Sequence, residues 1–426
     1  MSLYAKQQLK AFGETQVIVI LKQAGPRSDE SIQSLERHFC FGQLHRAAKR
    51  AAATRKTSGR SRSGKFATSP ASPMMYFRNL GVVYGTVDRK GWDGLRTETS
   101  VVASLGGAPP VRPIRPMGGQ PANDAPKLSW GAVTLGIPAL WKQGLTGKGV
   151  RIAHLDTGVD GTHPAFAGAV VEFAEFDPLG QLISHPQAFD SGNHGTHTAG
   201  VIAGRNVNGR SIGMAPESEL VCGIVIEGGD SVARVLAGVD WTIDKQVRVL
   251  NMSLGFPGFW AEFVPLLKIV RSKGLLPVFA VGNEGPGTSR SPGNYPQALS
   301  VGAVDRKGLV SQDSSSQTFD RPDDPIVPDV VGPGVDIISA DVGGGFRSDN
   351  GTSTAAPHIS GLAALLWQAK PAATVDELEN AILAACKRPA ADPVERVNRG
   401  IPDGPRALDA LLRGSAPAAT KTAGGK

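Results

Sequence analysis

Three reactive side chains lie far apart in a chain of 426 residues: Asp156 in LDTGVD, His194 in NHGTHTAG and Ser353 in DNGTSTAAPHISG. Each sits in an island rich in Gly or Thr. A carboxylate, an imidazole and a hydroxyl are the parts needed to make serine a nucleophile: the acid orients the ring, the ring takes the proton, and the oxygen attacks. The residues after Ser353, AAPHISGLAALLWQAK, carry a helical apolar period. Ser353 is therefore expected at a helix N-terminus, where unpaired backbone N–H groups point toward developing negative charge. A single Ser in that place reads as a cap, but three islands together read as a catalytic set.

Other residues compete for these roles. His197 follows His194 by three residues, a spacing that could make half of a metal site. No Glu stands between them and no third ligand clusters nearby, so His197 is expected to point into the packing on a hydrogen bond. His154 and His358, within an apolar strand and an apolar helix, read as core histidines. Asp160 competes with Asp156, but Asp156 ends the apolar run RIAHLD and can be buried against the His194 ring. Asn283, in FAVGNEGPG, would be a turn residue in most chains. Acyl transfer, however, creates an oxyanion, and the Asn283 amide with the Ser353 backbone N–H would stabilise it.

These residues need a scaffold. From residue 128 onward, short apolar runs (VRIAHLD, ELVCGIVI, VRVLNMSL, LLPVFAVGN) alternate with segments of helical period starting near 194, 231 and 260. That pattern predicts an α/β fold, a parallel sheet covered by helices on both faces. Ligands bind at the carboxyl ends of such strands, where Asp156 and Asn283 fall. Upstream, TQVIVILK (15–22), SDESIQSLERHF (28–39), MMYFRNLGVVYGTV (74–87), DRKGWDGLRTE and SVVASLGG predict a small α+β unit in the order βαββαβ. Residues 107–127, Pro-rich and without apolar period, read as an extended, exposed linker. The expected division is 1–106, the linker 107–127, a main domain 128–412, and a disordered tail 413–426.

Composition narrows the function classes. The formal charge of +7 suggests a polyanion partner, but residues 46–65 hold eight Lys or Arg and no acid, and the rest of the chain is close to neutral. This basic stretch is expected to be a solvated, disordered insertion, and a nucleic-acid partner is not expected. Three cysteines, Cys40, Cys222 and Cys386, make no disulfide framework and no metal-ligand spacing. The apolar run near the N-terminus is too short for a signal peptide, and no stretch reaches membrane-helix length. A cytoplasmic protein without a membrane partner is the expectation.

The islands, with LSWGAVTLGIPALWKQGLTGKGV, VRVLNMSLG and VFAVGNEG, closely resemble the subtilisin-like serine proteases, or subtilases, over about residues 128–385. The order Asp, His, Ser is also that of subtilisin. The resemblance implies a subtilisin-like parallel sheet flanked by helices, with Asp156, His194 and Ser353 as triad and Asn283 as oxyanion donor. It further implies Ser253, Leu254 and Gly255 as the edge strand pairing with substrate backbone, and Ala280 and Gly282 as the S1 wall opposite. Two departures stand out. Thr354 follows the nucleophile where the family usually has Met, and Ala165 and Phe166 replace a calcium-binding carboxylate. Asn206 and Asn208 suggest a calcium loop but lack carboxylates, so no metal and no cofactor are expected.

The N-terminal unit resembles the subtilase propeptide, an inhibitor and folding chaperone of ferredoxin-like fold. The resemblance implies a serine endopeptidase acting on polypeptide substrates, made as a zymogen that its own N-terminal domain inhibits. A cut is expected between Arg115 and Lys127. The alternative is a catalytically silent peptide-binding scaffold on the same fold. An esterase would carry Gly-x-Ser-x-Gly and the order Ser, Asp, His, and neither occurs.

Overall fold

The computed structural model describes residues 2–22, 29–42, 72–108, 112–114, 119–122, 127–226, 232–322 and 324–414. The basic stretch 46–65 and all but the first two residues of the tail 413–426 lie outside them.

The N-terminal unit is a four-stranded antiparallel sheet of β1 (Glu14–Leu21), β2 (Met74–Phe77), β3 (Val82–Asp88) and β4 (Val102–Gly107), in the spatial order β2-β3-β1-β4. Two helices, Asp29–Glu36 and Arg89–Thr97, complete the expected βαββαβ order. A helix at Leu3–Phe12, capped by Ser2 and stopped by Gly13 at φ 74, precedes it and was not foreseen. The period of two divides β1 between two cores. Val17, Val19 and Leu21 pack with Leu35, Trp92 and Leu95 of the unit's own helices. Ile18 and Ile20 turn the other way, with Leu80, Val82 and Tyr84, into a core shared with the main domain.

The main domain is built on β7 (Arg151–Asp156), β8 (Val170–Phe176), β9 (Leu182–Ile183), β10 (Glu219–Ile224), β11 (Val249–Met252), β13 (Leu276–Ala280), β15 (Leu299–Val304) and β18 (Val330–Pro333). Their order is β18-β15-β13-β11-β7-β10-β8-β9, parallel throughout except for β9 at one edge. Alternate residues again serve opposite faces. Ile152, Val249, Val278 and Val301 pack beneath helices His194–Ala203 and Thr352–Ala369. Ala153, Leu155, Leu250 and Phe279 pack beneath helices Val232–Ile243 and Val264–Ser272. The second pair of helices is also what the N-terminal sheet covers.

The Pro-rich segment differs from the expected exposed linker. Its residues β5 (Arg112–Pro113) pair antiparallel with β12 (Leu254–Pro257), which also pairs with β14 (Arg290–Ser291). Ile114 is 1% exposed and donates its N–H to Ser253 O at 3.1 Å. Farther on, β6 (Gln120–Ala122) pairs with β20 (Phe346–Asp349), whose other neighbour is β19 (Ile337–Ala340). A short two-stranded ribbon, β16 (Gln317–Thr318) with β17 (Ile326–Val327), lies apart. Prolines lack a donor but tolerate edge pairing, where the next residue supplies the N–H; Ile114 does so here.

Candidate active site

Asp156 is the last residue of β7 and His194 the first of the helix His194–Ala203. The close approach needs Gly195, because a Cβ there would lie 2.0 Å from Gly158 O. Gly195 N donates to Thr157 Oγ1 at 2.9 Å, which seats the helix start on the turn after β7. His194 Nδ1 donates to Asp156 Oδ1 at 2.8 Å, and Thr157 N donates to the same oxygen at 2.7 Å. Burial favours a neutral Asp156 carboxyl, but the His194 charge and hydrogen bond outweigh it and hold its pKa below the usual carboxylate value. For His194, burial pulls the pKa down and is outweighed by the Asp156 carboxylate, so the ring ends above the ordinary histidine value. The carboxylate thus fixes Nε2 as the proton acceptor and favours the imidazolium that proton transfer creates.

Ser353 is the second residue of the helix Thr352–Ala369, with its carbonyl accepting from Ser253 Oγ at 3.1 Å. Ser353 Oγ and His194 Nε2 are both buried and have no hydrogen-bond partner among the described residues, so they are not bonded to each other. Such contacts often close only around substrate. Asn283 Oδ1 accepts from Thr352 N at 2.9 Å and Thr352 Oγ1 at 2.8 Å. A Cβ on Gly351 would lie 2.6 Å from Asn283 Nδ2, so the amide rests against the turn that leads into Ser353. Thr352 was not picked out from the sequence. A hydroxyl before a nucleophilic Ser carries no spacing signal of its own.

Ser253, Leu254 and Gly255 are brought to the cleft, and the strand they pair with is the chain's own 112–114. Ala280 ends β13, and Gly282, at φ 125, has Glu284 Oε2 and Ser315 Oγ each 2.8 Å from where a Cβ would sit. An ion pair nearby carries no spacing signal in the sequence. Arg290 Nε donates to Glu284 Oε1 at 2.9 Å and its Nη1 to Gly255 O at 3.2 Å, so a neutralised pair stands beside both glycines.

The competitors have other work. His197 Nε2 donates to Ile337 O at 2.8 Å inside the core. His358 Nδ1 donates to Thr354 O at 2.9 Å, and burial pushes its pKa down to about 4. Asp160 accepts from Thr162 and Gly343 and has no bond to His194. The Thr354 hydroxyl donates to Gly351 O at 2.8 Å. Asn206 Oδ1 accepts from Gly209 N, closing its own turn. Among the described residues no three His, Cys, Asp or Glu side chains cluster to hold a metal, and no helix is long and apolar enough to cross a membrane.

The model of the Subtilase family matches residues 147–402. This chain belongs to the subtilase family. Subtilisin Savinase of Lederbergia lenta is 35% identical over 258 residues, which are 60% of this chain and 90% of Savinase. M-protease of Shouchella clausii (strain KSM-K16) is 35% identical over a stretch of the same length, 64% of its own chain. An intracellular serine protease of Paenibacillus polymyxa is 33% identical over 257 residues, 58% of this chain and 74% of that protein. The subtilase is a serine-type endopeptidase, and its family match begins downstream of the N-terminal sheet.

Proposed function

We propose that this endopeptidase works through Asp156, His194 and Ser353 and is made as a zymogen closed by its own N-terminal residues. The observation that carries the triad is the 2.8 Å bond from His194 Nδ1 to the buried Asp156 carboxylate. In the reaction, Ser353 Oγ attacks the carbonyl carbon of the scissile peptide while its proton passes to His194 Nε2. The Asn283 amide and Ser353 N–H stabilise the oxyanion. The imidazolium then protonates the leaving amine as the acyl-enzyme forms, and water, deprotonated by the same nitrogen, releases the acid.

Polypeptide substrate adds as a strand along Ser253, Leu254 and Gly255, with Ala280 and Gly282 lining the pocket for the residue before the cut. The inhibitory role of the N-terminal domain is supported by the pairing of Arg112–Pro113 on that same strand and by the core shared through Ile18, Leu80 and Tyr84. Residues 1–106 then form the propeptide-like domain and 128–412 the peptidase. No metal or cofactor enters any step. Three cysteines, none in a disulfide, support action in a reducing cytoplasm, which cell fractionation tests.

The deciding experiment compares wild type with Ser353→Ala. Fluorophosphonate labelling of the wild type alone, and a shortened wild-type N-terminus beside a full-length mutant, are expected. An unlabelled wild type that cleaves no peptide would instead favour the silent peptide-binding scaffold.

A further inference from the structure

The strand β20 runs toward the Ser353 turn and ends on an ion pair outside the triad. Asp349 is fully buried. Arg347, two residues before it and so on the same face of the strand, donates from Nε to Asp349 Oδ1 at 3.1 Å and Oδ2 at 3.0 Å, and from Nη2 to Oδ1 at 3.0 Å. Its Nη1 stands 3.6 Å from Asp341 Oδ1, in the hairpin between β19 and β20. The guanidinium is thus engaged at all three nitrogens, and neither partner swings aside without leaving a buried charge unpaired. The pair lies within electrostatic reach of the reacting groups: burial lowers the His194 pKa, Asp156 raises it by charge and hydrogen bond, and the Asp349 charge adds to the rise.

Gly119, one residue before β6, lies against this pair. A Cβ on Gly119 would fall 2.0 Å from Asp349 Oδ1 and 2.2 Å from Arg347 Nη2. Gln120, Pro121 and Ala122 pair with Ser348, Arg347 and Phe346, and the same register carried one step further sets Gly119 opposite Asp349. β6 is the outer strand of its sheet, and Gly119, Gln120 and Pro121 are exposed. On the other flank, Ile114 donates its N–H to Ser253 O, and Ser253 Oγ reaches Ser353 O. Residues 112–114 and 119–122 therefore approach Ser353 from two sides along one chain. A cut between them puts Gly119 in the leaving half, which carries the new amine.

We propose that Arg347 and Asp349 are specificity-determining residues, the floor of a subsite for the leaving half of the substrate that admits glycine and rejects residues with a side chain. Gly119 occupies it in the precursor. A polypeptide substrate does so by adding to the β20 edge as β6 does. The selection is steric: a methyl group there must displace an atom of a bidentate, buried pair, on an edge that is otherwise open. Once the chain is cut, β6 is tethered at one end only, and a substrate strand in excess takes its place.

The subsite rests on the endopeptidase reading, which labelling of wild type but not Ser353→Ala tests on its own. It is probed with the processed protein and a quenched fluorescent peptide of residues 110–124, PVRPIRPMGGQPAND, the cut being located by mass spectrometry. Gly119→Ala in the peptide is expected to lower kcat/KM roughly tenfold, the low end of what one extra methylene costs in a fitted pocket. Gln120→Ala, on the opposite face of the strand, leaves it unchanged. In the full-length chain, Gly119→Ala slows self-cleavage and Gln120→Ala does not. Arg347→Ser combined with Asp349→Ser removes both charges together, and brings the Gly119→Ala peptide level with the unchanged one. Equal kcat/KM for those two peptides on the wild-type enzyme, cut at the same bond, would overturn the subsite. So would a labelled enzyme that leaves the 110–124 peptide whole. Should the double variant fail to fold, the peptide series on the wild-type enzyme decides alone.

Discussion

Thr352 donates twice to Asn283, from its backbone N–H at 2.9 Å and its hydroxyl at 2.8 Å, both to Oδ1. The carbonyl end of the side-chain amide is thereby occupied, and the NH₂ end is the part that carries the protons an oxyanion would accept. Asn283→Leu is expected to lower kcat by roughly 10²- to 10³-fold, the cost measured for one such donor on a subtilisin asparagine, with KM little changed. Thr352→Ala should lower kcat in the same direction by a smaller factor, because the backbone bond remains. Steady-state kinetics on a peptide anilide check both.

The Asp156 carboxylate raises the His194 pKa against the opposing effect of burial. Only the neutral ring accepts the Ser353 proton, so kcat/KM rises with pH through the His194 pKa, with a midpoint above the ordinary value of about 6.5. Asp156→Asn removes the charge. Its acid limb should move to lower pH while kcat falls about 10⁴-fold. A limb that stays in place would separate Asp156 from the titration.

Asp240 lies on the helix beneath the N-terminal sheet and accepts from Leu80 N at 2.9 Å. Burial raises its pKa to about 6; Leu80 and Asn79 lower it, nearby Asp244 raises it and Arg78 lowers it. Because burial outweighs the Leu80 and Asn79 bonds and raises the carboxyl, the protonated form favours the buried state. The contribution is complete below the free carboxylate value of about 3.9 and is lost as pH rises through about 6. Gel filtration of the cleaved protein should show the N-terminal fragment retained more firmly at pH 5 than at pH 7.5. Asp240→Asn should flatten that difference.

Ile114 is 1% exposed and belongs to the main hydrophobic core. Ile114→Asp places a charge where burial is costly and should loosen the Pro-rich strand. N-terminal sequencing and a time course are expected to show slower self-cleavage at the native position. Activity against an added peptide should rise in the same variant when Ser353 is intact.

The meeting of Asp156 with His194, the alternation of strands and helices, and the N-terminal βαββαβ order were legible because each rests on local signals: islands around one reactive atom, and periods of two or near four. What the sequence could not convey depends on pairs distant along the chain. Thr352 holding Asn283 and the Glu284 and Arg290 pair beside Gly255 arise only when strands align. The Pro-rich stretch illustrates the opposite error. Proline content suggested exposure, whereas Ile114 and the residues beside it are drawn into an edge pairing that tolerates missing donors.

That pairing has a kinetic consequence. The chain is gripped on one flank by β12, which adjoins Ser353 through Ser253, and on the other by β20, which leads into the Ser353 turn. The bond to be cut and the nucleophile therefore share one molecule before any encounter. Maturation should be first order, with a half-time independent of protein concentration, and mixing active enzyme with Ser353→Ala precursor should hasten it little while the tail stays seated.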